Sequence, residues 1–261
     1  MRYAWIALPF AVLVLSAAAE PPKPPADDEK SKNLVVNGDF EEGDDTPKGW
    51  QKVDGLTTFW VKDSDPAHGK VLKFDTDVLQ SQGYDWWVKI AQGGKAKDAP
   101  KKFPSKDPNK YDTLAGLDGV WFWSDFIPIE KDKAYWLTLD VKGPEIMTWL
   151  VGYPEKSSTD FGADAGAFQE YMKAKLTGKE PNFTREREGF INKYDWRGQL
   201  KAGGANEWKT YSRRKMPFRP TANTPQVKFV RVLIFPYWPP GEYYVDNVRL
   251  VEYDEKAEAP R

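Results

Sequence analysis

The sequence predicts an all-β domain, a β-sandwich of two antiparallel sheets interrupted by two irregular insertions. Short segments rich in β-branched and aromatic residues alternate with turns of Gly, Pro and Asp. In several segments apolar residues recur at every second position, which is the period of a strand with one buried face. The sequence has no long-period internal repeat, which excludes solenoids and propellers. Counting the segments gives about nine to ten strands.

Apart from the opening stretch at 33–42, the predicted strands are residues 56–62, 69–75, 120–129, 134–143, 145–153, 208–218, 227–235 and 242–253. Alternation in the second of these places Leu72 and Phe74 inward. Residues 78–119 and 155–206 are less regular, and we predict insertions there, with a short helix at 164–176. In the last strand, strict alternation predicts that one face carries Tyr244, Asp246, Val248 and Leu250.

The first 19 residues predict a secretory signal peptide. Arg2 supplies a positive charge, residues 4–15 form a short apolar core, and residues 17–19 are small. This apolar run is shorter than the roughly 20 residues of a membrane-spanning helix, so we expect no membrane span after cleavage; the alternative is an uncleaved anchor. A proline-rich linker at 20–32, a domain at 33–254 and a flexible tail at 255–261 should follow. The expected location is secreted or periplasmic.

Composition narrows the classes of function. The net charge is −1, so no overall field favours nucleic acid. The chain has no Cys and one His, which rules out disulfides, Cys/His zinc sites and most catalytic triads. A pair of carboxylates for glycoside hydrolysis stays open, because there are 39 acidic residues. The aromatic content is high, with 12 Trp, 12 Tyr and 14 Phe.

The two ends of the domain carry the most specific pattern. The opening stretch at 33–41 reads N-L-V-V-N-G-D-F-E, Trp50 follows, and the closing strand at 243–250 reads Y-Y-V-D-N-V-R-L. These ends resemble those of a family 4/9-type carbohydrate-binding module, and the hairpin at 124–143 is similar to that family as well. The resemblance implies a galactose-binding-like jelly-roll β-sandwich whose first and last strands meet.

The resemblance also implies a structural Ca²⁺ where those strands meet. Glu41 and Asp246 match the family's two carboxylate positions, and Asp65 is a weaker third candidate, with the His68 carbonyl as a further ligand. Calcium prefers six to eight oxygen ligands, including carboxylates and carbonyls. The alternative is that the two carboxylates pair with Lys or Arg, or cap backbone amides.

Sugars stack their C–H faces on Trp and Tyr, and their hydroxyls hydrogen-bond polar side chains. Outward positions on predicted strands, together with aromatic residues in predicted loops, provide the candidates. The candidate carbohydrate-binding residues are Trp136, Asp140, Trp149, Tyr153, Arg231, Trp86, Trp87 and Trp238. The alternative for each Trp is a place in the core or over it.

These observations predict an exported, non-catalytic protein that binds a polysaccharide or oligosaccharide and holds a structural calcium. One alternative is a cell-surface β-sandwich that makes structural or protein contacts without sugar affinity. The other is a jelly-roll glycoside hydrolase or polysaccharide lyase with a site built by the insertions. A lysine-rich loop at 95–110 adds the option of an acidic polysaccharide. The sugar and the oligomeric state are left open.

Overall fold

The computed structural model describes residues 32–156, 194–213 and 216–253. The described residues form two antiparallel sheets that pack face to face, with few helical residues. The predicted class, an all-β jelly-roll sandwich, is therefore confirmed. The predicted signal peptide, the helix at 164–176 and the C-terminal tail lie outside the described residues.

The first sheet has the strand order β1-β2-β10-β5-β8. Its long strands coincide with segments of clear alternation, because each buries one face and leaves the other to solvent. The bounds are β1 Thr58–Lys62, β2 Lys70–Asp75, β5 Ala134–Gly143, β8 Ala205–Ser212 and β10 Glu242–Tyr253.

The second sheet has the order β3-β9-β6-β7, and β4 pairs with β9. The predicted strand at 120–129 is in fact two short strands, β3 and β4, separated by an isolated bridge from Ser124 to Trp50. The bounds are β3 Phe122–Trp123, β4 Ile127–Pro128, β6 Ile146–Tyr153, β7 Trp196–Ala202 and β9 Phe229–Phe235.

One hydrophobic core fills the space between the sheets. Leu72 and Val245 enter it from the first sheet, and Leu150 and Val232 enter it from the second. All four side chains are fully buried. Burial of such side chains stabilises the fold by about 1.5–3 kcal/mol each.

The head of the domain lies along the last strand, as predicted. Leu34 N–H donates to the Leu250 carbonyl at 2.8 Å, and Val248 N–H donates to the Gly38 carbonyl at 2.7 Å. A Cβ at Gly38 would lie 1.9 Å from the Val248 oxygen, so only glycine permits this approach. The head pairs as a series of turns rather than as a regular strand.

The prediction of strict alternation in β10 is wrong because the strand contains a bulge. The pairing register with β5 shifts between Asp246 and Arg249, and Asn247 adopts a φ of +50°. The extra residue reverses the phase of the strand. Tyr243 and Val245 therefore face the core together with Val248 and Leu250. Asp246 remains on the outer face.

The two irregular blocks contain regular elements that periodicity did not predict. The first holds α1, Gln80–Ala91, a short 3₁₀ helix, Ala96–Asp98, and α2, Leu114–Leu117. The second contributes β7. Within the described residues, no helix combines the length and the apolar character that crossing a membrane requires.

Candidate functional site

The outer face of the first sheet carries a cavity of about 540 Å³, which we call the face groove. Tyr244 lines it, and strands β1, β2, β5, β8 and β10 or their adjoining turns all contribute to its lining. The lining residues are Val61, Lys62, Asp63, Ser64, Lys73, Lys142, Gly143, Pro144, Asn206, Glu242 and Tyr244.

Two ion pairs fix four of the five charged side chains that line the face groove, the fifth being Lys62. Lys73 Nζ lies 2.6 Å from Glu242 Oε1, and Lys142 Nζ lies 2.5 Å from Asp63 Oδ2. The Lys142 ammonium also lies 4.7 Å from the centre of the Tyr244 ring. The groove is therefore rich in fixed hydrogen-bonding groups, and each of its two acids faces a lysine.

These partners set the protonation of the two acids. Burial by itself would raise the pKa of Asp63, but hydrogen bonds from Lys142, the Asp65 N–H and Trp208 outweigh it and hold the pKa below its ordinary value. Burial by itself would likewise raise the pKa of Glu242, but hydrogen bonds from Lys73 and Tyr244 outweigh it and lower the pKa. Both carboxylates are therefore ionised at neutral pH. Burial raises the pKa of Tyr244 to about 12.

Beside the groove, a second arrangement joins the turn after β1 to the last strand. His68 Nδ1 lies 2.8 Å from Asp246 Oδ2, and the His68 ring stacks on Trp208 with centroids 4.0 Å apart. Asp246 is 1% exposed, and this burial raises the pKa of its carboxyl, although the His68 contact opposes the effect. Its other oxygen, Oδ1, is buried without a hydrogen-bond partner.

The residues predicted as calcium ligands lie around this turn. Glu41 Oε1 accepts a hydrogen bond from Lys70 N–H at 2.7 Å, and a Cβ at Gly69 would lie 2.0 Å from the same oxygen. Glu41 and Asp246 thus contact consecutive residues of one segment, 68–70. Asp65 accepts from Ala67 N–H within its own turn.

This arrangement fits a cation in part. The unpartnered Asp246 Oδ1 is an oxygen that an ion would satisfy, and Glu41 brings a second carboxylate to the same segment. Among the described residues, no three acidic, His or Cys side chains form a metal-binding group. Backbone carbonyls and water would therefore have to complete the shell, which calcium accepts.

Two of the predicted sugar-binding residues, Trp136 and Asp140, lie on the outer face of the first sheet, on β5. The Trp136 ring stacks on Tyr253 at 5.7 Å, away from the residues that line the groove. Both oxygens of Asp140 are engaged, since Thr210 donates to one at 2.6 Å and Asn247 to the other at 2.8 Å.

Three others lie on the outer face of the second sheet, where Trp123, Val151 and Tyr153 form a small separate hydrophobic cluster. Trp149 packs against this cluster, and Tyr153 is only 2% exposed. Arg231 is 5% exposed, and its guanidinium lies 5.1 Å from the centre of the Trp123 ring. On this face the predicted residues are largely packed against one another.

Trp86 and Trp87 belong to α1 and pack in or on the core. The indole N–H of Trp86 donates to the Asp54 carbonyl at 2.7 Å, and that of Trp87 donates to Asp54 Oδ2 at 2.8 Å. Both rings therefore anchor the helix to the segment before β1. Together with Trp238, which is described next, the eight predicted residues lie in four separate places.

The remaining one, Trp238, lies at one end of the sandwich beside a second cavity. This end cavity has a volume of about 490 Å³, and it is lined by Asp77, Lys102, Phe103, Pro104, Ser105, Asp107, Pro108 and Lys110. Phe103 is 58% exposed. Tyr111, directly after Lys110, stacks on Trp238 with centroids 5.2 Å apart, and both rings remain partly open to solvent.

The site residues that sequence reasoning missed come from several strands and turns. Lys142 is predicted as an outward position on its strand, and Tyr244 is predicted to share a face with Val248 and Leu250, but neither is predicted as part of a site. Asp63 and Asn206 lie in predicted connections, which carry no periodic signal. The pairing of β10 with β5 and of β5 with β8, together with the ion pair between Lys142 and Asp63, brings these four residues together.

No model of a known protein family and no curated protein sequence matches the chain. Among solved structures, it is similar to a family 16 carbohydrate-binding module at 14% identity and a TM-score of 0.41, covering 84% of this chain and 100% of that one. It is similar to the module TmCBM61, solved with β-1,4-galactotriose, at 11% identity and a TM-score of 0.38, covering 85% of this chain and 100% of that one.

It is also similar to the enzymatically active domain of tailspike protein 4 from bacteriophage CBA120, at 10% identity and a TM-score of 0.43. That match covers 85% of this chain but 21% of the tailspike chain, so this chain spans about a fifth of its length. These identities and scores are too low to assign a family or an activity. The fold assignment rests on the strands and pairings described above.

Proposed function

We propose that this chain is an exported carbohydrate-binding protein whose saccharide site is the face groove. The observation that carries the proposal is the groove itself. It is an open cavity of about 540 Å³ in which the Tyr244 ring lies among fixed polar side chains. An aromatic face with ordered donors and acceptors around it suits the C–H faces and hydroxyls of a sugar.

The groove is better suited to binding than to glycoside hydrolysis. A glycosidase needs one carboxylic acid with a raised pKa to protonate the leaving group. Asp63 and Glu242, the two acids that line the groove, both have lowered pKa values because lysines neutralise them. Tyr244, with a pKa of about 12, is no base at neutral pH. The charged side chains of the groove would instead hydrogen-bond and orient the hydroxyl groups of a bound sugar.

The proposal includes a structural calcium at the junction of head and tail. Asp246 and Glu41 would supply carboxylate oxygens, and carbonyls would complete the shell. Such an ion would stabilise the contact between the head and β10 in a chain without cysteines. Export rests on the sequence pattern of residues 1–19.

The test measures binding of the full chain to a glycan array and then, by calorimetry, to the saccharides it retains. Replacing Asn206, an exposed groove residue, removes an amide that makes no hydrogen bond to the described residues. We expect Asn206→Ala to weaken binding about fivefold to tenfold, the value of one hydrogen bond. Tyr244→Ala should weaken it further.

Gln199 provides the matched control, because it is an exposed strand amide on the outer face of the second sheet. Gln199→Ala should bind as the unchanged protein does. Retention of no saccharide by the unchanged protein would favour a cell-surface contact role instead. Release of reducing sugar from a retained polysaccharide would favour a hydrolase.

A further inference from the structure

We propose that His68 and Trp208 are positioning residues for the face groove. Neither residue lines the cavity, but together they hold the turn at 63–69 in the place that puts Asp63 beside Lys142. The inference rests on the proposed function and deepens it, because it names residues outside the cavity that set its affinity for a saccharide. It also links the groove to the junction of head and tail.

The turn at 63–69 begins with a residue of the groove. Asp63 lines the cavity, and its N–H donates to the Gly69 carbonyl at 2.8 Å, which closes the base of the turn. Asp63 Oδ1 accepts from the Asp65 N–H at 2.8 Å, and Oδ2 lies 2.5 Å from Lys142 Nζ. A shift of the turn would therefore move this carboxylate away from Lys142 and change the lining of the groove.

Trp208, on β8, contacts both members of that ion pair. Its indole N–H donates to Asp63 Oδ1 at 3.4 Å, and the Lys142 ammonium lies 4.8 Å from the centre of its ring. A cation at this distance is attracted by the electrons of the ring face. The same ammonium lies 4.7 Å from the centre of the Tyr244 ring, which lines the groove. The position of Trp208 therefore bears on Asp63 and Lys142 at once.

His68 joins the end of the turn to Trp208 and to the last strand. Its ring stacks on Trp208 with centroids 4.0 Å apart and planes inclined by 18°, and its Nδ1 lies 2.8 Å from Asp246 Oδ2. The side chains of His68 and Asp246 are 11% and 2% exposed, so little water competes for their contact. We call the contacts of His68 with Trp208 and Asp246 the clamp.

The head segment holds the same turn. Lys70, directly after the turn, donates its N–H to Glu41 Oε1 at 2.7 Å. A Cβ at Gly69 would lie 2.0 Å from that oxygen, so the carboxylate packs directly on the turn. The turn thus contacts the head through Glu41, the last strand through Asp246 and the groove through its own first residue. A change at any of these places can therefore alter the others through one element.

The first experiment measures affinity by calorimetry. The probes are hexasaccharides of β-1,4-linked galactose, glucose and xylose, together with any other glycan that the array retains. His68→Ala and Trp208→Ala should each weaken binding about fivefold, the loss expected for one aromatic stacking contact. The double variant should bind no more weakly than either single one, because both changes break the same clamp. Trp208→Phe keeps a ring that can stack on His68, so it should bind within about twofold of the unchanged protein.

The second experiment needs no saccharide. Amide hydrogen exchange of peptides that cover 63–69 reports opening of the turn. In His68→Ala, this segment should exchange about tenfold faster than in the unchanged protein, whereas β9 should exchange at the same rate. In the unchanged protein, a bound saccharide should slow the exchange of 63–69, because coupling between two sites acts in both directions.

Trp121→Ala is the matched control. Trp121 is also a half-buried tryptophan, and its indole N–H donates to the Asp118 carbonyl at 3.1 Å, but its ring lies beside Phe235 of the second sheet. The change should alter neither the affinity nor the exchange of 63–69. If it weakens binding as much as Trp208→Ala does, the effect is a general loss of stability, and positioning is refuted.

The remaining outcomes separate the two proposals. Unchanged exchange of 63–69 in His68→Ala would refute the clamp, whatever the groove binds. Additive losses in the double variant, or equal losses for Trp208→Phe and Trp208→Ala, would refute it as well. Faster exchange with unchanged affinity would refute positioning and leave the proposed function intact. If the unchanged protein retains no saccharide, the proposed function is refuted, and the role of the clamp in binding is refuted with it.

Discussion

The outer faces of the two sheets both carry aromatic rings beside positively charged side chains, but they use them differently. On the first face, Lys142 lies over the Tyr244 ring and is paired with Asp63 at the edge of an open cavity. On the second, Arg231 lies over Trp123 and is itself buried, beside Tyr153. The same residue types therefore line a groove in one place and fill a small core in the other.

The difference shows that outward alternation does not by itself identify a binding face. Both faces point away from the main core, and both satisfy the same period of two. What distinguishes them is the burial of the positively charged groups. Lys142 and Lys73 pair with acids that line the open groove, whereas Arg231 is 5% exposed.

The largest expected effect separates the two faces directly. Tyr153→Ala removes a ring that is 2% exposed, so we expect the free energy of unfolding to fall by about 3–5 kcal/mol. Urea denaturation measures the loss. Saccharide affinity, measured where the variant is still folded, should not change. A variant of normal stability that loses binding would place the site on the second face.

We expect calcium to bind and stabilise the junction of the head with β10, in the first sheet, and to have no effect on the second. At a concentration 100 times its dissociation constant, a bound ion would raise the free energy of unfolding by about 2.7 kcal/mol, and a chelator should reverse this. Asp246→Asn should abolish the response, measured as the melting temperature with and without calcium. Asp125→Asn, at an exposed aspartate, is the control. An unchanged response in Asp246→Asn would exclude the junction as the site.

The ion pair of Asp63 should give stability that depends on pH. Asp63→Ala should cost about 2 kcal/mol at pH 7, because it removes a charged hydrogen bond to Lys142. The pKa of Asp63 is lower in the fold than the ordinary value of about 3.9. The contribution is therefore complete above that value and is lost as the pH falls through the lower pKa of the folded protein.

Denaturation at neutral pH and at about pH 3 checks this prediction, and the difference between variant and unchanged protein should shrink at the lower pH. Glu42→Ala is the control, since its pair with Lys48 is exposed on both sides and should contribute little. A cost for Asp63→Ala that is equal at both pH values would show that packing, rather than charge, holds this residue.

The smallest expected effect concerns the part of the first sheet's outer face that lies outside the groove. Thr210→Val removes the hydroxyl that donates to Asp140 Oδ1, and it should cost about 1 kcal/mol of stability. Because neither residue lines the groove, affinity for saccharide should stay the same. A loss of affinity in calorimetry would extend the site toward Trp136.

Much of the fold was predictable because its long strands bury one face. β5 and β10 have the predicted bounds, since apolar residues alternate along β5 and on each side of the bulge in β10. The contact of head and tail was predictable from the resemblance at both ends. The bulge in β10 was not, because aromatic Tyr244 is compatible with an unbroken alternation through Val248 and Leu250, although the core residue before the bulge is Val245.

The elements that the sequence did not predict were missed for specific reasons. α1 begins after Leu79, which makes no side-chain capping bond, and it includes Gly83, so neither a start signal nor a clean helical pattern is visible. In β7, Gly198 interrupts the apolar face because the Phe218 ring would lie 2.5 Å from a Cβ there. The groove depends on register between distant strands, and the apolar pattern of each strand does not show which residues of another strand lie opposite it.

The place of β10 makes the first sheet depend on pairing between distant parts of the chain. This last strand lies between β2 and β5, and it also receives the head segment through Gly38 and Leu34. The first sheet therefore cannot be completed until β10 pairs with both β2 and β5. Pairing between strands so far apart in sequence raises the contact order, which slows folding.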